Sequence, residues 1–217
     1  LPKVVWQMPR KGTFNLHASL LPDYRGAAPI NWAIINGETI TGVTTFLIDE
    51  QIDTGAILLR KEVAITERET AGTLHDKLMV VGADLVVDTL ALIASDKAVP
   101  QSQPQPIVEK AAPKIHKETA HIPWEKSLAE IDRFVRGMAP YPTAWAELHH
   151  EGEMYAVKIY EATPQEVTHT LPIGSVRVKD RHIEVAVQGG FLRIESLQFP
   201  SKKRMSGREF LNGFHFA

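Results

Sequence analysis

The sequence predicts an α/β domain followed by a small β-barrel, and three features carry that expectation. Strand-like and helix-like segments alternate through residues 1–95. Prolines interrupt the chain across 96–121. Five short strands then recur at regular spacing through 122–217.

In the first block, Thr13–His17 alternates polar and apolar residues, the period-two pattern of a short strand. Ala28–Asn36 reads as a helix, with Pro29 in its first turn and Gly37 just past its end. Thr41–Ile48 and Ala56–Ile65 are β-branched and apolar, so both read as strands, joined by the loop Asp49–Gly55. A long helix is expected over Ala71–Ser95, where Leu74, Leu78, Val81, Leu85, Val86, Thr89, Leu92 and Ile93 recur at helical spacing and should form a buried stripe. Pro100, Pro104, Pro106 and Pro113 then exclude a long helix or a central strand, so 96–121 reads as an extended crossing between domains.

In the second block, Ser127-Leu128-Ala129-Glu130 has the spacing of a capping box, and the helix it starts should end by Pro140. Strands are expected at Ala144–His149, Met154–Glu161, Gly174–Val178, His182–Val187 and Phe191–Gln198. The turns are marked by His150-Glu151-Gly152, Lys179-Asp180-Arg181 and Gly189-Gly190. A second box, Ser206 to Glu209, starts a short closing helix. Trp124, Tyr141 and Trp145 read as barrel or interdomain core.

The 217 residues suffice for one large or two small cores, and 44% hydrophobic with 23% charged residues is ordinary globular composition. Cysteine is absent, which excludes disulfides, thiolate nucleophiles and cysteine-ligated metals. No apolar run approaches the roughly 20 residues of a membrane helix, and no basic–apolar leader stands at the start. A cytoplasmic, membrane-free protein is expected, and a monomer, although composition does not determine oligomeric state. Net charge is −2, but unevenly spread: residues 1–109 hold 9 Lys+Arg against 13 Asp+Glu, and 110–217 hold 15 against 13. That balance alone does not specify a polyanion partner.

Asn15 and His17 stand two apart at the end of a predicted strand, so their side chains share a face. Ligands of open α/β sheets bind beyond the carboxyl ends of the strands. Asp53 follows the next strand, so two adjacent loops at one sheet edge could bring an amide, an imidazole and a carboxylate together. Such a trio suits acyl transfer to an amine. The amide can donate to an oxyanion, the imidazole can donate to it or shuttle a proton, and the carboxylate favours the protonated ring. Asn-x-His is also short enough to arise by accident, in which case the histidine is an ordinary surface residue.

Asn15-Leu16-His17-Ala18-Ser19-Leu20-Leu21-Pro22, followed by Tyr24-Arg25-Gly26-Ala27-Ala28-Pro29-Ile30, resembles the signature of the methionyl-tRNA formyltransferases. Gly42-Val43-Thr44 and Ile52-Asp53-Thr54-Gly55 stand at the matching offsets, and the likeness covers nearly the whole chain. It implies the C-terminal half of a Rossmann-like formyltransferase domain, then an OB-like barrel that helps hold tRNA. It implies Asn15, His17 and Asp53 as the catalytic set and 10-formyltetrahydrofolate as co-substrate. Ser19, Leu20, Leu21 and Pro22 would form the folate-binding loop, and Asp49, Gln51 and Ile52 would line the pterin pocket through their backbone. Ser-Leu-Leu-Pro also reads as an ordinary connection with its leucines in the core. Arg25 and Gly26 would shape the loop.

Initiator methionyl-tRNA is the implied partner, with Lys114, His116, Lys117, Lys202, Lys203 and Arg204 at the basic positions; a cluster that small also serves as a plain solvated face. No metal is implied. Two other readings remain open at this point: a formyltransferase acting on a nucleotide-sugar amine or glycinamide ribonucleotide, and a non-catalytic RNA-binding fragment. Leu1-Pro2-Lys3 resembles a point well inside the family's first domain. The first block is accordingly expected to be weakly folded by itself, and the chain to fall short of full activity.

Overall fold

The computed structural model describes residues 2–105 and 108–216; Leu1, Pro106, Ile107 and Ala217 lie outside the described residues, Pro106 of the predicted linker among them. The chain forms two compact units. The first comprises Leu1–Ala33 and Gly37–Lys114, the second Ile34–Asn36 and Ile115–Ala217.

The first unit begins with a single helical turn, α1 (Lys3–Trp6), and is built on a sheet of β1 (Phe14–His17), β3 (Ile40–Leu47) and β4 (Ile57–Ala64). A short β2 (Arg25–Gly26) and α2 (Pro29–Ile35) lie between β1 and β3 in sequence, and α2 crosses the boundary between units. The order is β1-β3-β4 and both pairings are antiparallel, with Phe14 opposite Leu47 and His17 opposite Thr44. Central β3 is buried from Thr41 to Phe46, because residues of both faces are covered.

The long α3 (Ala71–Ala94) packs on β3 and β4. Its buried side is Ala71, Leu74, Leu78, Gly82, Leu85 and Thr89, while Val81, Val86, Leu92 and Ile93 are half-buried. The predicted stripe is therefore narrower than expected and centred on Gly82. Closeness explains the glycine: a Cβ there would lie 2.7 Å from the Leu16 side chain. Thr89 hydrogen-bonds Thr45 at 2.8 Å across the same interface. Leu16 and Thr45 thus face α3, and by strand alternation Asn15 and His17 face the other way.

The segment after α3 is extended, as its prolines require, but it is more than a crossing. Gln101 and Ile57 exchange two backbone hydrogen bonds of 2.7 and 2.8 Å. Further on, β5 (Ala111–Ala112) pairs in parallel with β2. The described residues of 97–105 and 108–114 thereby run along the first unit as part of it. Prolines report which backbone conformations are allowed, not which distant strand supplies partners.

In the second unit, α4 (Leu128–Met138) starts at the Ser127–Glu130 capping box and ends just before Pro140. The sheet order is β6 (Ala144–His150), β7 (Glu153–Glu166), β10 (Gly190–Gln198), β9 (His182–Val187) and β8 (Val176–Lys179), all antiparallel. A two-residue β11 (Met205–Ser206) pairs with β10 and leads into α5 (Gly207–Phe210). Two hairpins turn on left-handed pairs, Glu151-Gly152 and Asp180-Arg181, the geometry that matches strand twist.

Among the described residues no ladder joins β6 to β8, so the sheet is a half-barrel. Ile131, Val135 and Met138 of α4 fill it against Val157, Ile159, Val187, Leu192 and Ile194. Trp124 and Trp145 pack on this core, but Tyr141 is 83% exposed and belongs to no core, which corrects the reading of all three aromatics as buried. Among the described residues, no helix is long and apolar enough to cross a membrane.

Candidate active site

His17 ends β1, where its side chain is buried on the sheet face opposite α3. Asn15, two residues earlier on that face, is exposed. Asp53 lies in the loop after β3, and its Oδ2 comes within 3.7 Å of His17 Nδ1. The route differs from the one expected. Because β1 and β3 are antiparallel, the loop leaves β3 beside Phe14, three residues and about 10 Å from His17. The rule for the carboxyl ends of parallel strands does not apply here; the loop doubles back along β1 instead of meeting a neighbouring loop at one edge.

Side chains hold that loop in shape. Asp49 accepts hydrogen bonds from the Gln51 amide at 3.0 Å and the Thr54 hydroxyl at 2.8 Å. Gly55 passes so close to β3 that a Cβ would lie 1.6 Å from the Leu47 carbonyl oxygen, so no other residue fits. Gln103, from the segment after α3, donates to the carbonyls of Asp53 and Gly55 at 2.8 and 2.9 Å. Its own side-chain oxygen accepts from the Arg25 guanidinium at 2.6 Å. Ile52, by contrast, projects an apolar side chain that is 77% exposed.

The Ser19–Pro22 connection is pinned to the sheet. The Ser19 hydroxyl donates to the Asp23 carbonyl at 2.5 Å, and its carbonyl accepts from Thr44 Oγ1 at 2.6 Å. Leu21 is fully buried against Phe46 and Ile57, and its carbonyl accepts from Arg60. Leu20 needs a glycine beneath it: a Cβ on Gly42 would lie 2.5 Å from its Cδ2. Ser19 and Leu21 therefore shape the loop with the groups expected to touch a ligand, while Leu20 and Pro22 are half-buried.

Sequence reasoning had Arg25 and Gly26 shaping the loop but missed the contacts by which this stretch aims His17 and Asp53. His17 Nε2 meets the Tyr24 carbonyl at 2.8 Å, and the Gly26 amide donates to Asp53 Oδ2 at 2.9 Å. Tyr24 is in turn gripped: its hydroxyl donates to Glu38 at 2.7 Å, and its amide donates to the Lys110 carbonyl at 2.6 Å. Lys110 Nζ also donates to Glu38 at 2.7 Å. Burial pushes the Glu38 carboxyl up, but the bonds from Lys110 and Tyr24 outweigh it and leave the group below its ordinary range. The hydrogen bond to Glu38 raises Lys110 against its own desolvation. None of these contacts is local in sequence, and only the motif Tyr24-Arg25-Gly26 hinted at them.

Of the basic residues, Lys114 is exposed in the first unit, and Lys117, Lys202, Lys203 and Arg204 are exposed in the second. Lys117 lies over the Trp145 ring at 5.5 Å. Arg204 lies over Tyr160 at 4.6 Å and donates to Ser196 at 2.7 Å. Among the described residues no group of three or more histidines and carboxylates could hold a metal.

Two family models match the chain: formyl transferase over residues 1–90, and formyl transferase, C-terminal domain, over 114–215. A methionyl-tRNA formyltransferase of Flavobacterium psychrophilum is 51% identical over 217 residues, which are 100% of this chain and 69% of that protein. Its namesake in Flavobacterium johnsoniae is 52% identical with the same coverage. Among solved structures, HypX from Aquifex aeolicus in complex with tetrahydrofolic acid superposes with a TM-score of 0.73 at 20% identity, over 97% of this chain and 36% of that one, a likeness of fold. Half-identity along its whole length, with both family models matching in order, leads to one assignment: the chain belongs to the methionyl-tRNA formyltransferase family.

Proposed function

We propose that this chain carries the chemistry for moving a formyl group from 10-formyltetrahydrofolate to the α-amine of initiator methionyl-tRNA. The observation that carries the reading is the 3.7 Å approach of Asp53 Oδ2 to His17 Nδ1, on the face of β1 that also bears Asn15. The amine attacks the formyl carbon and forms a tetrahedral centre with an oxyanion. The Asn15 amide donates to that oxygen without changing protonation, a contribution of about 3 kcal/mol for one well-placed donor. His17, supported by Asp53, moves the proton between the attacking amine and the departing folate nitrogen.

The folate would lie against the loops that frame this face. The exposed Ile52 suits the flat apolar side of a pterin, and the backbone around Asp49 and Gln51 offers its polar edge. Leu20 and Pro22 would border the same pocket, with Ser19 and Leu21 shaping it from behind. The formyl-transfer chemistry is assigned to residues 1–95, as a partial catalytic domain. The half-barrel of 122–217 is assigned an OB-like role in holding the tRNA, with 96–121 as the linker that leads to it. Lys114, Lys117, Lys202, Lys203 and Arg204 would meet its phosphates.

A formyl-transfer assay comparing the protein with His17→Ala tests the chemistry, and a loss of at least about a hundredfold is expected, the scale of a positioned acid–base group. Undiminished transfer in that variant would overturn the assignment. Offering a nucleotide-sugar amine in place of tRNA should leave the folate unconsumed. For the tRNA contacts, Lys202→Ala with Lys203→Ala should weaken binding and lower the salt dependence by roughly one unit of slope per lost contact. An unchanged slope would remove both lysines from the interface.

A further inference from the structure

The hydrogen bonds around His17 determine which of its nitrogens can work. Nε2 lies 2.8 Å from the Tyr24 carbonyl oxygen. A carbonyl only accepts, so Nε2 must carry the hydrogen of this bond. A neutral imidazole has one N–H, which leaves Nδ1 with a bare lone pair. That lone pair faces Asp53 Oδ2, another acceptor, at 3.7 Å. The pair can hydrogen-bond only when a second proton arrives on Nδ1. In the Ser-His-Asp arrangement the carboxylate holds the nitrogen remote from the reaction. Here a backbone carbonyl takes that place, and the carboxylate sits beside the nitrogen that remains reactive.

The two ends of this arrangement come from one tripeptide. Tyr24 supplies the carbonyl for His17, and Gly26 supplies the amide that holds Asp53 Oδ2 at 2.9 Å. The tripeptide has little freedom. Tyr24 is 4% exposed and left-handed at φ 59°, a conformation that costs energy for a non-glycine residue and persists only under outside constraint. The constraint is the strap of residues 110–112. Its Lys110 carbonyl takes the Tyr24 amide, and its Ala112 carbonyl takes the Ala27 amide at 2.7 Å. Gly26, at φ 121°, lets the strap come close, since a Cβ there would lie 2.5 Å from the Ala112 oxygen.

We propose that Tyr24–Gly26, braced by the 110–112 strap, locks His17 in its Nε2–H tautomer and so makes Nδ1 the nitrogen that takes up and releases the proton in formyl transfer. Tyr24, Gly26 and the strap are positioning residues. The proton-transfer half rests on the role proposed for His17; the tautomer half does not.

Nitrogen-15 spectroscopy of the protein, with labelled histidine and with the His17 signals identified by their loss in His17→Gln, reads the tautomer directly. For the neutral ring, the expected pattern is a protonated Nε2 and a bare Nδ1. A protonated Nδ1, or an equal mixture, would overturn the proposal. Gly26→Ala should push the strap away, mix the tautomers, shift the pH profile of transfer, and lower kcat by about tenfold or more while KM stays within about twofold. A variant with the original tautomer and pH profile would show that the strap has no such part. Should Gly26→Ala fail to fold, Lys110→Met removes the strap's side-chain bond to Glu38, which also holds the Tyr24 hydroxyl, and should mix the tautomers in the same direction; an unmixed tautomer there would overturn the strap's part. If the Nε2–H tautomer is found but His17→Ala keeps full activity, the catalytic reading falls and the lock stands.

Discussion

Glu184 is the most deeply buried carboxylate in the second unit, with a side chain only 2% exposed and a guanidinium on either side of it across the sheet. Arg177 of β8 reaches one oxygen at 2.8 Å, and Arg193 of β10 reaches the other at 2.9 Å. Burial raises this carboxyl, but the hydrogen bonds from Arg193 and Arg177 more than offset it and hold the group below the usual carboxylate range. A depressed folded value means the stabilisation is present above the unfolded carboxylate pKa and is lost as pH falls through the folded one. Glu184→Gln should cost about 2 kcal/mol near neutral pH. That is less than a fully buried pair would lose, because both arginines remain roughly a third exposed. Melting curves of the two proteins should converge at acid pH; a gap that persists there would show that the charge is not the cause.

Among the elements, α3 offers the cleanest energetic test. Its first turn is closed by reciprocal bonds between Thr70 and Thr73, and Thr70→Ala should destabilise the protein by about 1 kcal/mol in denaturant titration. Gly42→Ala on β3 should be worse, at least about 2 kcal/mol. Its Cβ would lie 2.2 Å from the Lys61 carbonyl oxygen, which the sheet cannot move. Elements of this kind were legible in advance. The boundaries of β1, β3, β4 and α3 fell within a residue of their periodicity, and both serine capping boxes formed as spaced. Local rules sufficed there because period and capping are local physics. The Thr70–Thr73 box went unseen because threonine replaces the usual Glu or Gln at its third position. The antiparallel pairing of β1 with β3, the return of Asp53 along β1, and the grip of Gln103 and Lys110 were not legible. Each depends on a partner dozens of residues away. Asn15, His17 and Asp53 could be named from their motif, whereas the groups that hold His17 and Asp53 could not, because a backbone carbonyl or amide leaves no mark in a sequence.

For the molecule as a whole, the division into two units has its own consequence. The half-barrel and α4 enclose an apolar core whose buried residues come from 115–217, with half-buried Ile35 packed against it. That segment expressed alone should give a cooperative thermal transition, and a broad, non-cooperative one would mean that its core depends on the rest of the chain. The first unit is assembled differently. Its site waits on the pairing of residues 25–26 with residues 111–112, which closes a very long loop. Bringing such distant segments together costs chain entropy that hairpins and helices do not pay. On dilution from denaturant, helical signal should therefore return first, and the competence of the histidine last. During that interval the protein would look folded to a spectrometer while its reaction centre was still unmade.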